Sequence, residues 1–130
     1  MGSLVFSELK VIEKKCNLFL ENENIQFIGV VNQLGNLIVG GFKKDLAPIG
    51  TEETRKMMYM QLKLDLDMRK DYDGLYGPVE YVVSKRRDAE KISIPIGNYM
   101  ILIIAELNFD CGSRIKEIIS IFKPYLDNET

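Results

Sequence analysis

Apolar side chains at Leu9, Ile12, Cys16 and Phe19 recur at steps of three and four, with Glu8, Lys10, Glu13, Lys14 and Lys15 between them. That spacing predicts an amphipathic helix over residues 7–20, lying on a core. A polar break at residues 21–24 follows. Residues 25–31 (IQFIGVV) and 36–42 (NLIVGGF) are β-rich runs joined by the link NQLG. A short link ending in Gly predicts a hairpin. Both runs are apolar at nearly every position, so both faces of each strand should be covered. Gly40 and Gly41 predict a bulge or a close approach by another segment.

Thr51 is a good helix N-cap, and Glu52 and Glu53 stand where a helix dipole favours negative charge. Beyond them the signals conflict. Met58, Met60, Leu62, Leu64, Leu66 and Met68 alternate with Tyr59, Gln61, Lys63, Asp65, Asp67 and Arg69, the period of a strand. Yet residues 55–72 contain no Val, Ile or Thr, and Met, Leu, Lys, Gln and Arg favour helix. Composition decides for a helix. At about 100° per residue, Met57, Met60, Leu64 and Met68 form one stripe, and Met58, Leu62 and Leu66 a second, well separated from it. One stripe packs on the sheet of the same chain; the other needs a further cover, for which a second subunit is the obvious candidate. A domain this small offers a peripheral helix one sheet face, which favours that reading over two internal stripes.

Residues 71–78 predict a loop, 79–84 a strand and 85–90 a charged hairpin tip. Residues 91–96 alternate as a strand, although Pro95 removes one ladder donor. Gly97 and Asn98 make a tight turn before an apolar, central strand over residues 99–107. A loop over residues 108–113 leads to a last helix with the stripe Ile115, Ile118, Ile119 and Phe122, which Pro124 ends or bends. The order is helix, two strands, helix, three strands, helix, without repeat or linker, in one domain spanning residues 1–130.

Composition narrows the chemistry. The 130 residues carry a net charge of −2, so the chain as a whole presents no field to attract nucleic acid. There is no histidine, which removes Ser-His-Asp, Cys-His and H-E-x-x-H chemistry. Cys16 and Cys111 stand in no motif and suggest a reducing compartment. The apolar run over residues 99–105 is too short for a bilayer, which needs roughly 20 residues. The first residues lack the basic region of a signal peptide, and Phe6 stands where a myristoylation motif wants Ser or Thr. A cytoplasmic protein is the expectation.

Few residues invite a functional reading. Lys85, Arg86 and Arg87 are the densest basic cluster, either a contact for an acidic partner or phosphate, or a solvated tip partly neutralised by Asp88 and Glu90. Residues 40–44 (GGFKK) lack the spacing of a phosphate loop and read better as a strand end with a bulge. Asp65 and Asp67 point in different directions on a helix, and Asp71 and Asp73 lack the remaining ligands of a calcium loop, so no metal site is expected. Cys16 sits on an apolar stripe and should be inert, whereas Cys111 precedes a helix start that could lower its pKa.

The hairpin at residues 29–40 (GVVNQLGNLIVG), the Met/Leu helix, and residues 92–104 (ISIPIGNYMILII) before a final helix resemble the roadblock family of dynein light chains, related in architecture to profilin-like and longin-like domains. Residues 77–83 (GPVEYVV), with parts of the same segments, also resemble a group of short proteins from ammonia-oxidising archaea that brings no activity with it. The roadblock resemblance implies an α/β (α+β) fold: a five-stranded antiparallel sheet with the middle helix on one face and the terminal helices on the other. It implies a homodimer through the middle helix and the neighbouring edge strand, here Met58, Leu62, Leu66, Tyr81 and Val83. It further implies a non-enzymatic adaptor or regulator, often of small GTPases, with no cofactor. Two other readings stay open. A small-molecule sensor would show a cavity between sheet and helix with convergent polar groups. An enzyme using Asp, Lys or Tyr would show shifted pKa values in a cleft.

Overall fold

A computed structural model describes residues 4–107 and 109–127 of the chain. The order is α1 (Phe6–Phe19), β1 (Ile25–Val31), β2 (Leu37–Phe42), α2 (Glu52–Arg69), a 3-10 turn (Lys70–Tyr72), α3 (Asp73–Tyr76), β3 (Val82–Lys85), β4 (Glu90–Ile96), β5 (Tyr99–Ala105) and α4 (Cys111–Leu126). The strands form one antiparallel sheet in the order β2-β1-β5-β4-β3. The most apolar strand, β5, lies at its centre, as expected of a run that must be covered on both faces. The segment expected to be all loop at residues 71–78 holds the 3-10 turn and the one-turn α3. Pro124 lies inside the last turn of α4, which runs two residues past it.

Strand alternation divides the core between two faces. Ile12 and Cys16 of α1 and Ile115, Ile118 and Phe122 of α4 pack with Ile28, Val30, Ile92, Ile94, Ile101 and Ile103. Tyr59 and Leu66 of α2 pack with Phe27, Val31, Met100, Leu102 and Ile104 on the other side. The middle helix therefore has one face to itself, and the terminal helices share the opposite one. Pro95 lies on β4 beyond the reach of β3, whose pairing stops at Ser93, so its missing donor falls where β4 is flanked on one side only. The close approach expected at Gly40 comes from β1: Gly40 is paired with Gly29, and a Cβ on it would meet the Gly29 Cα at 2.6 Å. The register irregularity falls on the facing strand, between Val30 and Val31.

Candidate functional site

α2 begins as its sequence demands. The Thr51 hydroxyl oxygen accepts from the Thr54 backbone N–H at 3.1 Å, and Glu52 and Glu53 occupy the first turn. Its two apolar stripes lie on opposite sides, in the reverse of the expected roles. Leu66 is 3% exposed and is buried against the sheet, and Met58 and Leu62 pack beside it. The stripe left in solvent is Met57, Met60, Leu64 and Met68, at 53–61% exposure. The reason is Tyr59. Its ring stacks on Phe27 with centroids 5.8 Å apart, and Phe27 in turn meets Phe42 edge-on at 4.8 Å. This aromatic anchor turns the Met58, Leu62 and Leu66 side inward.

The outward stripe does not stand alone. Exposed Leu34, in the turn between β1 and β2, joins Met57, Met60 and Leu64 along a shallow groove of about 390 Å³. Gly35 permits this contact. Its φ is +86°, and a Cβ would lie 2.9 Å from both Cα and Cγ of Met60. Lys63 borders the groove with its ammonium buried and 2.7 Å from Asp67.

The edge-strand residues fall elsewhere. The strand expected over residues 79–84 begins only at Val82, so Tyr81 precedes it; Tyr81 and Val83 are both exposed, but Val83 pairs with Ile92, whose side chain belongs to the α1/α4 face. Val83 therefore points to the face opposite α2, and the structure does not bring it together with the helix stripe. The basic run is split in the same way. Lys85 pairs with Glu90, which is level with Ala105 on the α1/α4 side. Arg86 and Arg87 instead line a cleft on the α2 side.

That cleft, of about 410 Å³, lies between the N-terminal half of α2, the end of β2 and the β3–β4 hairpin. Phe42, Met58 and Ile104 give it apolar walls; Arg55, Arg86, Arg87 and Lys91 give it positive charge, with Asp88 as the carboxylate. Sequence reading missed Arg55 and Lys91. The signal for Lys91 was the alternation of β4. Ile92, Ile94 and Ile96 fill one face, so Lys91, Ser93 and Pro95 look toward the other, which α2 covers only partly. Burial, and then the nearby Arg86, push the Lys91 pKa down. The Tyr59 phenol is pushed up by burial, against a smaller opposing effect of Arg55.

Of the remaining candidates, Asp65 and Asp67 are ion-paired and Cys16 is inert, while one carboxylate oxygen of Asp73 is buried without a hydrogen-bond partner. Asp65 pairs with Arg69 at 3.0 Å, and Asp67 with Lys63 and, at 3.6 Å, with Lys70. Among the described residues, no group of three or more acidic or cysteine side chains could hold a metal ion. Cys16 is fully buried, and burial, with a further push from Glu13, lifts its thiol to about 12. The Cys111 side chain lies outside the described residues. No helix among the described residues is long and apolar enough to cross a membrane.

The fold has known counterparts. The Roadblock/LC7 domain from Streptomyces avermitilis superposes with a TM-score of 0.67 at 11% identity, covering 88% of this chain and 96% of that one. The gliding protein MglB from Thermus thermophilus gives 0.69 at 8% identity, covering 97% of both chains. A structure of MglB with tetrameric arrangement gives 0.65 at 11% identity, covering 97% and 99%. At such identities the likeness shows the fold, and it agrees with the architecture that the roadblock resemblance implies. No curated protein matches the chain. A family model does match, over residues 6–127, and the chain accordingly belongs to the family of unknown function DUF6659.

Proposed function

We propose that this protein is a non-enzymatic interaction module that pairs with a second copy of itself along the outward stripe of α2. The observation that carries the reading is the exposure of Met57, Met60, Leu64 and Met68 in one row. Such a row on a regular helix is costly to leave in water and is covered when another chain packs on it. A two-fold pairing must be self-complementary. With the helices antiparallel, Glu52 and Glu53 in the first turn of one would approach Arg69 in the last turn of the other. The likeness to MglB, which has a tetrameric arrangement in one structure, supports self-association. Met58, Leu62 and Leu66 then act by seating the helix on its sheet, and Tyr81 and Val83 lie outside this contact.

The roadblock likeness supports an adaptor or regulator in the cytoplasm, with a small GTPase as the partner protein; because the sheet sends Lys85 to one face and Arg86 and Arg87 to the other, Lys85 is the cation of the basic run offered to acidic groups on it. The decisive measurement is the mass in solution at micromolar concentration. The wild-type chain should run at twice its own mass and Leu64→Glu at the single-chain mass, with an unchanged far-UV spectrum. A monomeric wild type overturns the reading, and so does a Leu64→Glu variant that remains dimeric.

A further inference from the structure

The cleft beside α2 is not used by self-association. Four cations border it, Arg55, Arg86, Arg87 and Lys91, against the single carboxylate of Asp88. On α2, its following turn and α4, Lys56, Lys63, Arg69, Lys70 and Arg114 each lie within 4.0 Å of a carboxylate. None of the cleft cations does so within the described residues. Arg55 is instead held by the chain itself, donating to the carbonyls of Ile49 at 3.3 Å and Gly50 at 2.8 Å, which fixes it as a wall of the cleft.

Lys91 is the informative group. It is paired with Ile104, so its side chain stands on the α2 face of the sheet, half-buried beside apolar atoms. Removing an ammonium from water without a partner is unfavourable, and crowding it with a guanidinium is more so. An anion seated among these groups relieves both penalties. The volume falls within the range of small-molecule sites, and three segments enclose it. An acidic side chain projecting from a partner protein would meet the cations at the rim, whereas the partly exposed Phe42 and Met58 beside them call for an apolar group as well. A small molecule with an apolar body covers both.

We propose that this cleft binds a small organic anion, a phosphate or carboxylate whose charged group is held by Lys91, Arg86 and Arg87 while its apolar body rests on Phe42, Met58 and Ile104. The site does not rest on dimer formation, since its lining excludes the outward stripe of α2.

The test is calorimetric titration of the full chain with phenyl phosphate, benzoate, inorganic phosphate and phenol. Phenyl phosphate or benzoate should saturate one site per chain, with inorganic phosphate weaker by about tenfold or more and phenol without measurable affinity. Lys91→Met should weaken binding by about tenfold or more, the scale of a lost charge-assisted contact, and Arg87→Gln should weaken it too. Lys85→Met, on the other face, should leave it unchanged, and Leu64→Glu should bind as the wild type does. Without ligand, Lys91→Met should melt no lower than the wild type, because a partly desolvated charge has been removed. The absence of saturable binding of both aryl anions at millimolar concentration overturns the proposal. So does equal affinity for phenyl phosphate and inorganic phosphate, or binding indifferent to both Lys91→Met and Arg87→Gln.

Discussion

The two faces of the sheet differ in how completely they are covered. Five strands spaced about 4.8 Å apart make a surface roughly 20 Å wide. A helix with its side chains is about 10 Å across. On one face, α1 and α4 lie side by side over the sheet, and Ile12, Cys16, Ile118 and Phe122 are fully buried there; the groove of about 440 Å³ on that side runs between the two helices rather than down to the strands. On the other, α2 works alone. Its buried apolar contribution is Tyr59 and Leu66, and beside it lie an open cleft and an exposed row of Met and Leu. The difference is one of cover: two helices shield one side of the sheet, the closed face, and one helix leaves a cleft and an apolar row in solvent on the other, the open face.

The largest effect should come from the closed face. Phe122→Ala removes a fully buried ring that stacks on Phe19 at 5.8 Å, and should cost about 4 kcal/mol in urea unfolding. On the open face, Leu66→Ala should cost about 3 kcal/mol, because Leu66 is the inward side of α2. Leu64→Ala, two residues away, should change single-chain stability by less than about 0.5 kcal/mol when measured at a concentration too low for association. If Leu64→Ala proved as costly as Leu66→Ala, the outward stripe would be core and the contrast between the faces would fail. If Phe122→Ala were the milder of the core substitutions, the closed face would not be the stabilising one.

The order of elements was legible because each carries a local signal: the stripe of α1, the NQLG link, the Thr51 cap, the alternation of β4. The identity of α2 was legible from residue type against period, since Met, Leu, Lys and Arg outweigh a misleading alternation. Its orientation was not. Both stripes are apolar, so a helical projection is nearly symmetric, and the tie is broken by Tyr59, which the alternation counts among the polar positions. Its partner Phe27 lies in β1, far away in sequence, and nothing local announces the contact. The cleft was hidden for the same reason. Arg55 and Lys91 are far apart in sequence and become neighbours only because β4 lies under α2 and sends alternate side chains toward it. The basic run was visible, but a strand's period of two divides it, sending Lys85 to one face while Arg86 and Arg87 turn to the other.

Alkali offers a finer comparison, because each face holds a titratable group. On the closed face the Cys16 thiol is raised from 9.0 to about 12. A folded value above the unfolded one means that the native chain keeps a proton the unfolded chain releases. The associated stability is therefore fully present below pH 9 and is lost as pH rises toward 12. By pH 10 the loss should be about 1 kcal/mol. Tyr59, also raised, acts in the same direction at higher pH. Lys91 on the open face is lowered, so its deprotonation comes earlier in the folded chain and opposes the loss, weakly, because solvent reaches it. The measurement is urea unfolding at pH 8 and pH 10 for the wild type and for Cys16→Ala. The wild type should lose the extra increment and the variant should not, whatever the variant's baseline stability. Equal losses in both would mean that Cys16 is more open to solvent than its place on the inward side of α1 indicates. Iodoacetamide at pH 8, followed by peptide mapping, gives the independent check. In the native protein Cys16 should stay unmodified, and it should react once the chain is unfolded.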